Sequence, residues 1–308
     1  MKAFSFPTRK NTAIHCCQWL PDGKPIAILQ LVHGISEYAA RYDALARMFT
    51  ARGFVVTAED HMGHGASISA DIPQGCLEGG WSAAVSDTYR LTQLTREEFP
   101  DLPYVLYGHS MGSFLVRTLL YTYPDADLRA VVLSGTGWEP KPVLQTGRAV
   151  CQAAARRVGW DHPSHTVDKL MFGSYNKGYP APRTPMDWLT RDEAEVARYL
   201  RDPLLGASPS VRLAYEMLGG MLRNEDRKHL ENMPKDLPVL FISGASDPVG
   251  GNGKGVRRTC AAFRAAGMRD VTCKLYSDAR HELHNEYNRE EVYADVLAFL
   301  ARALGRDL

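Results

Sequence analysis

Short apolar, β-branched runs alternate with longer segments of helical periodicity over residues 1–136, and this alternation limits the fold more than any other feature. Helices that connect successive strands bring the strands into parallel pairing and cover both faces of the sheet. We therefore predict an α/β fold with a mostly parallel, doubly wound sheet. Predicted strands span residues 25–33, 54–58, 104–107 and 130–134, predicted helices span 42–52, 82–99 and 111–123, and an opening hairpin spans 4–6 and 12–20.

The alternation stops over residues 137–237, where helical segments, Pro and Gly turns and charged residues replace it. It resumes with predicted strands at 239–243 and 271–276, and an amphipathic helix over 289–304 closes the chain. A helical block between two strands of one sheet is most simply a lid. The sequence thus predicts a core formed by residues 1–136 and 238–308, with residues 137–237 inserted as a helical lid.

Composition argues against several classes of function. The 36 Lys and Arg nearly balance the 35 Asp and Glu, and the net charge of +1 argues against a nucleic-acid partner. The 6 cysteines show no metal-ligand or CxxC spacing, so we expect no metal or cofactor, and reduced thiols in a cytoplasmic protein. Neither a signal-peptide pattern nor an apolar run of about 18 residues is present, so stable membrane insertion is not expected. Small molecules are the expected partners, and nothing indicates an oligomeric state.

The strongest local motif is Gly108-His109-Ser110-Met111-Gly112, which lies between a predicted strand and a predicted helix. A serine in such a turn is typical of a nucleophile elbow, because glycines two positions before and after it avoid collisions within the turn. The turn lifts the hydroxyl above the carboxyl edge of the sheet, next to the positive end of the helix dipole. Ser110 is therefore the predicted nucleophile, and the alternative is an ordinary turn with an incidental serine.

A serine hydroxyl needs a general base and an acid that orients the base. In this type of sheet the acid and then the histidine follow late strands, and Asp247 and His281 meet that requirement. We predict that Ser110, Asp247 and His281 form a catalytic triad. The rivals are His284 for the base and, more weakly, Asp270 and Asp278 for the acid.

The tetrahedral intermediate of acyl transfer needs two hydrogen-bond donors for its oxyanion. One predicted donor is the backbone N–H of Met111, the residue after the nucleophile. The other is the backbone N–H of Ile35, which follows His33-Gly34 in the loop after the first parallel strand. His33 itself is predicted to pack this loop rather than to act as a base.

These motifs together resemble the monoacylglycerol lipase and lysophospholipase family of the α/β-hydrolase fold. The resemblance runs from about residue 25 to 304 and rests on five motifs: His33-Gly34-Ile35 with Glu37 and Arg41-Tyr42, residues 60–67, residues 108–112, Asp247, and His281-Glu282 with Asn285-Glu286. It implies a serine hydrolase that cleaves a carboxylic ester of a monoacylglycerol-like or lysophospholipid-like substrate through an acyl-serine intermediate, without a metal. The pair Ile35-Ser36 is larger than the pair usual in the monoacylglycerol enzymes, which implies a narrower alcohol side of the pocket.

The predicted lid supplies Met and aromatic side chains that suit an alkyl chain, but such side chains also form a lid's own core, so none is assigned to the substrate. Its scattered arginines are typical of a solvated face and allow at most transient contact with an anionic lipid surface.

Two other functions remain open at this point. A proline-releasing aminopeptidase shares the fold and the triad, and it would need lid carboxylates such as Glu193, Glu195 or Glu216 to bind an α-ammonium group. A non-catalytic binding protein on a hydrolase scaffold is the third possibility, and retention of the complete triad counts against it.

Overall fold

A computed structural model describes residues 1–8, 12–179 and 181–308, and these residues contain one mixed sheet. The strands are β1 (Lys2–Pro7), β2 (Ala13–Trp19), β3 (Ala27–Val32), β4 (Phe54–Glu59), β5 (Tyr104–His109), β6 (Leu128–Ser134), β7 (Val239–Gly244) and β8 (Val271–Tyr276). Their order across the sheet is β1-β2-β4-β3-β5-β6-β7-β8. β2 pairs antiparallel with β1 and with β4, and the remaining neighbours pair in parallel. The sheet is therefore mostly parallel, as predicted.

Helices cover both faces of this sheet. The helices of the described residues are α1 (Asp43–Thr50), α2 (Gly80–Glu98), α3 (Met111–Thr122), α4 (Lys141–Val158), α5 (His165–Phe172), α6 (Glu193–Arg201), α7 (Val211–Asn224), α8 (Arg227–Glu231), α9 (Lys254–Ala265) and α10 (Arg289–Leu304). Of these, α2, α3 and α9 cover one face and α1 and α10 cover the other. Side chains of β3 point to both faces. Ile28 and Val32 belong to the apolar core under α2, α3 and α9, whereas Leu29 and Leu31 belong to the one under α1 and α10. Alternate residues of a strand point to opposite faces, so one apolar run serves two cores.

The strands predicted from the sequence are present, with boundaries that differ by a few residues. The opening hairpin is confirmed by the antiparallel pairing of β1 with β2. The predicted helix over 42–52 is α1, preceded by a short 3₁₀ turn over Ala39–Tyr42. One helix, α9, was not predicted at all.

The chain between β6 and β7 forms α4 to α8, and we call residues 137–237 the inserted segment. Its helix α7 packs on α2 and α3 of the core, where Gly220 lies against the indole of Trp81. Within the inserted segment, the described residues contribute no strand to the sheet. Among the described residues, no helix is both long enough and apolar enough to cross a bilayer.

Candidate active site

Ser110 occupies the turn between β5 and α3 in a backbone conformation that side chains rarely adopt. Its φ is 52° and its ψ is −121°. The backbone holds it there: the Ser110 N–H donates to the carbonyl of Ser134 at the end of β6 (3.0 Å), and its carbonyl accepts from the Ser113 hydroxyl (2.6 Å). The surrounding structure therefore fixes the strained turn, and the orientation of the Ser110 side chain is set by the fold rather than by the backbone conformation that serine ordinarily prefers.

The two glycines of the motif are required by close contacts in this turn. A Cβ on Gly112 would lie 2.0 Å from the carbonyl oxygen of Val32, and one on Gly108 would lie 2.7 Å from the carbonyl oxygen of Gly112. Both contacts are with backbone, which cannot move aside cheaply. A larger residue at either position would therefore collide with backbone, which is the reason for expecting glycine two positions before and after the serine.

Asp247 and His281 follow β7 and β8, and the structure brings them together. The Nδ1 of His281 lies 3.0 Å from Oδ2 of Asp247. Asp247 is fully buried, and it also accepts hydrogen bonds from the Ser243 hydroxyl (3.2 Å) and the Val249 N–H (2.9 Å). An ionised carboxylate only accepts hydrogen bonds, so Nδ1 is the donor and the neutral imidazole keeps its lone pair on Nε2.

The environment of His281 favours its protonated form. Burial lowers the pKa of His281, but the charge of Asp247 and the hydrogen bond to it raise the pKa, and the net result lies above the usual value for histidine. The backbone N–H of His281 donates to the carbonyl of Trp188 in the inserted segment (3.4 Å), and the two rings lie 5.0 Å apart. The inserted segment thus forms part of the wall around this imidazole.

Ser110 and His281 line the same cavity, which has a volume of about 250 Å³. No hydrogen bond joins the Ser110 hydroxyl to His281 within the described part of the chain, and such bonds are commonly long in the absence of substrate. The structure therefore places the three predicted triad residues at one site and joins two of them directly.

The loop after β3 passes beside Ser110. A Cβ on Gly34 would lie 2.9 Å from the Cβ of Ser110, so Ile35, the residue after Gly34, lies near the serine. Met111 begins α3, and the first N–H groups of a helix have no carbonyl partner within the helix. Both predicted donor residues are thus next to the serine. His33 is buried, and burial holds its pKa well below the usual range, which fits the predicted packing role.

A buried ionic network connects the loop after β3 to the loop that carries His281. Arg41 donates two hydrogen bonds to Glu282 (2.7 and 2.6 Å) and one to Glu37 (3.0 Å), and Glu37 also accepts from the Gly34 N–H (2.5 Å). Burial raises the pKa of Glu282, but Arg41 more than offsets this and the pKa falls to about 2. Sequence reasoning assigned these residues no role, although the motifs that carried the resemblance contain all three.

The rival triad members make other contacts. His284 is buried and stacks on Tyr42 with 4.7 Å between ring centroids, and its pKa is lowered to about 3 by burial. Asp270 pairs with Arg302 on the surface. Asp278 is exposed in the turn after β8. The residue paired with the His281 imidazole is Asp247.

The inserted segment supplies much of the cavity wall. Phe172 and Trp188, two aromatic side chains of the inserted segment, line it. Met186, Leu189 and Tyr199 also line it. The sequence pattern did not identify them, because Met186 and Leu189 lie in irregular turns and the helical periodicity at Tyr199 does not distinguish a cavity wall from a packed core. Among the described residues, no group of His, Cys, Asp and Glu side chains is arranged to hold a metal ion.

Comparison with known proteins gives a consistent result. Residues 23–288 match the Hydrolase_4 family (serine aminopeptidase, S33). The chain is 29% identical over 297 residues to a monoacylglycerol lipase of Mycolicibacterium smegmatis, covering 93% of this chain and 92% of the relative. It is 28% identical to the monoglyceride lipase of Mus musculus, covering 89% and 81%. A thermostable carboxyl esterase from Bacillus coagulans, solved in complex with glycerol, superposes with a TM-score of 0.91 at 29% identity and 98% coverage of both chains.

Proposed function

The chain belongs to the Hydrolase_4 family (serine aminopeptidase, S33) and is similar to monoacylglycerol lipases, and we propose that it hydrolyses a carboxylic ester of a monoacylglycerol-like substrate through an acyl-serine intermediate. The observation that carries the proposal is the pairing of His281 with the buried carboxylate of Asp247 beside the cavity that Ser110 lines. A nucleophile and an oriented base beside one cavity are what acyl transfer requires.

In the proposed mechanism, His281 Nε2 takes the proton of the Ser110 hydroxyl as Oγ attacks the ester carbonyl. The N–H groups of Ile35 and Met111 donate to the oxyanion, and Asp247 stabilises the imidazolium. The tetrahedral intermediate collapses as His281 gives the proton to the departing alcohol. A water molecule, deprotonated by His281, then attacks the acyl-serine, and the fatty acid leaves as the proton returns to Ser110.

The charges of the cavity favour an uncharged glycerol over a phosphate-containing head group. Its described lining contains neither Lys nor Arg, and its acidic residues are Asp168 together with Glu37 and Glu282, both of which pair with Arg41. Phosphate groups in proteins are usually bound by Arg, Lys or free N–H donors. We therefore place a monoacylglycerol before a lysophospholipid as the substrate. We also propose that residues 137–237 act as a lid over a core of residues 1–136 and 238–308.

The family's description as serine aminopeptidases favours the aminopeptidase alternative, and the positions of the lid carboxylates argue against it. Glu193 pairs with Arg183 on the surface, and Glu216 accepts from the backbone N–H of Trp81 (3.2 Å). Glu195 is bonded by Arg198 on the same helix. None of these three carboxylates is among the described residues that line the cavity.

The test compares wild type and Ser110→Ala on a monoacylglycerol, a lysophosphatidylcholine of the same acyl chain, and a proline p-nitroanilide. We expect the monoacylglycerol to give the highest kcat/KM, and Ser110→Ala to reduce kcat roughly 10⁴-fold or more. Ser86→Ala is the matched control, because that serine hydroxyl pairs with Tyr123 away from the cavity (3.2 Å). Wild-type activity in Ser110→Ala would refute the mechanism, and preference for the anilide would favour the aminopeptidase. Failure of a fluorophosphonate to label Ser110 would favour a non-catalytic binding protein.

Contact with a lipid surface and a cytoplasmic location stay predictions. The six cysteines are free in the structure, and five of them are buried.

A further inference from the structure

Ser36 lies in the loop after β3 in a conformation that serine rarely adopts. Its φ is 58°, in the left-handed region, and the residue is buried. It directly follows Ile35, whose N–H is the proposed second oxyanion donor. A non-glycine residue keeps such a conformation only where its neighbours fix it. The contacts that fix Ser36 therefore bear on the position of the donor.

The inserted segment provides those contacts. The Ser36 hydroxyl donates to the carbonyl of Ala207 (2.6 Å), and the Ser36 carbonyl accepts from the N–H of Gly206 (3.0 Å). The Tyr199 hydroxyl also lies within hydrogen-bonding distance of the Ser36 carbonyl (3.4 Å). Both polar groups of Ser36 that face the inserted segment are thus satisfied by it.

The side chain of Ile35 contacts the same part of the molecule in addition to the main core cluster. It packs against an apolar cluster of the inserted segment that includes Val167, Met171 and Val211. On the opposite side of the loop, the Gly34 N–H is held by Glu37 of the core (2.5 Å). The peptide that carries the Ile35 N–H therefore lies between a core anchor and an inserted-segment anchor.

We propose that Ser36 is a positioning residue: its hydrogen bonds to Gly206 and Ala207 hold the Ile35 N–H in the orientation that binds the oxyanion. The inference rests on the proposed function. It implies that the docked inserted segment and a competent oxyanion site form together. Displacement of residues 206–207 would weaken stabilisation of the transition state while leaving Ser110 and His281 in place.

Ser36→Ala removes the hydroxyl that bonds Ala207, and Ser36→Gly removes it while tolerating the positive φ. For both variants we expect kcat on a p-nitrophenyl ester to fall about tenfold with KM nearly unchanged, less than the roughly 10²-fold or greater loss on deleting an oxyanion donor. The Ki of a trifluoromethyl ketone, which forms a tetrahedral adduct with the serine, should rise by the same factor. The Ki of the fatty-acid product should not change.

Tyr38→Phe is the matched control. The Tyr38 hydroxyl bonds Asp202 (2.6 Å), so the variant removes another contact between this loop and the inserted segment without touching Ser36. We expect wild-type kcat and ketone affinity. Equal losses in Tyr38→Phe and Ser36→Ala would indicate general anchoring and overturn the proposal. So would wild-type kcat in both Ser36 variants, or a loss of kcat with unchanged ketone affinity. An inactive wild type would instead defeat the proposed function.

Discussion

Two serines with positive φ, Ser36 and Ser110, lie on the wall of one cavity. Each such residue costs on the order of 1–3 kcal/mol and persists only where the surroundings over-determine it. Backbone contacts fix Ser110, whereas contacts from the inserted segment fix Ser36. The strain is therefore maintained by the core in one case and by docking of the inserted segment in the other.

The titration of His281 leads to a prediction about pH. The proposed base must be neutral to accept a proton, and the pKa of His281 is raised above its usual value because Asp247 outweighs burial. Activity should therefore be lost as the pH falls through a pKa above about 6.5. We expect the acid limb of kcat/KM against pH to report this pKa.

The Asp247→Asn variant tests whether the charge of Asp247 raises the pKa of His281. Removing the charge should move the pKa of His281 down, so the acid limb shifts to lower pH, while kcat falls roughly 10⁴-fold. The ring proton shifts of His281 in NMR spectra measure the same pKa without turnover. An unchanged pKa in the variant would contradict the role of Asp247.

At the scale of elements, α7 packs closely on the core at Gly220. A Cβ there would lie 2.3 Å from the Trp81 indole, which is fully buried and donates through Nε1 to Thr118 (2.9 Å). Gly219 is the preceding residue of the same helix. A Cβ there would lie no closer than 3.5 Å to its nearest neighbour, the Arg148 side chain. Two adjacent glycines of one helix thus differ in the space around them.

We expect Gly220→Ala to lower the free energy of unfolding by about 1–3 kcal/mol, because the indole cannot move without losing its packing and hydrogen bond. Gly219→Ala should be neutral or stabilise by up to about 1 kcal/mol, since alanine favours the helix. Urea unfolding followed by circular dichroism measures both. Equal effects of the two substitutions would contradict close packing at Gly220.

Helix α9 shows why one element escaped prediction. Val256, Cys260 and Phe263 are buried with helical spacing. Several glycines lie just before the helix and in its first turn, and its exposed face carries Arg and Lys. This local sequence is therefore also typical of a loop. Packing of three side chains on the sheet overrides that local preference.

At the scale of the whole molecule, Glu286 joins the inserted segment to the core. This fully buried carboxylate accepts from Arg191 Nε (2.8 Å) and from the backbone N–H of Arg280 (2.7 Å), next to His281. Burial of a charge is tolerated when its partners are complete, and removing one partner leaves the others unsatisfied.

Glu286→Ala should therefore destabilise the protein by about 3 kcal/mol and reduce activity, because the loop before His281 loses its anchor. Glu290→Ala is the control, since that side chain is 84% exposed beside Arg289 and should change stability by less than about 0.5 kcal/mol. Thermal unfolding and ester hydrolysis would be measured together. A Glu286 variant as stable and active as the control would show that the contact contributes little.

The sequence by itself determined the sheet, the helices of the core other than α9, and the neighbourhood of the site. Apolar runs and glycine positions are local patterns, and they indicate where each strand ends. Ser110, Asp247 and His281 could therefore be predicted, because each follows the end of a strand. Tertiary structure alone decided which side chains line the cavity. It also decided that Arg41 connects two loops far apart in the chain, and that Ser36 is fixed by residues 206–207. These contacts depend on how the inserted segment docks, and docking is set by the fit of whole surfaces rather than by any local pattern.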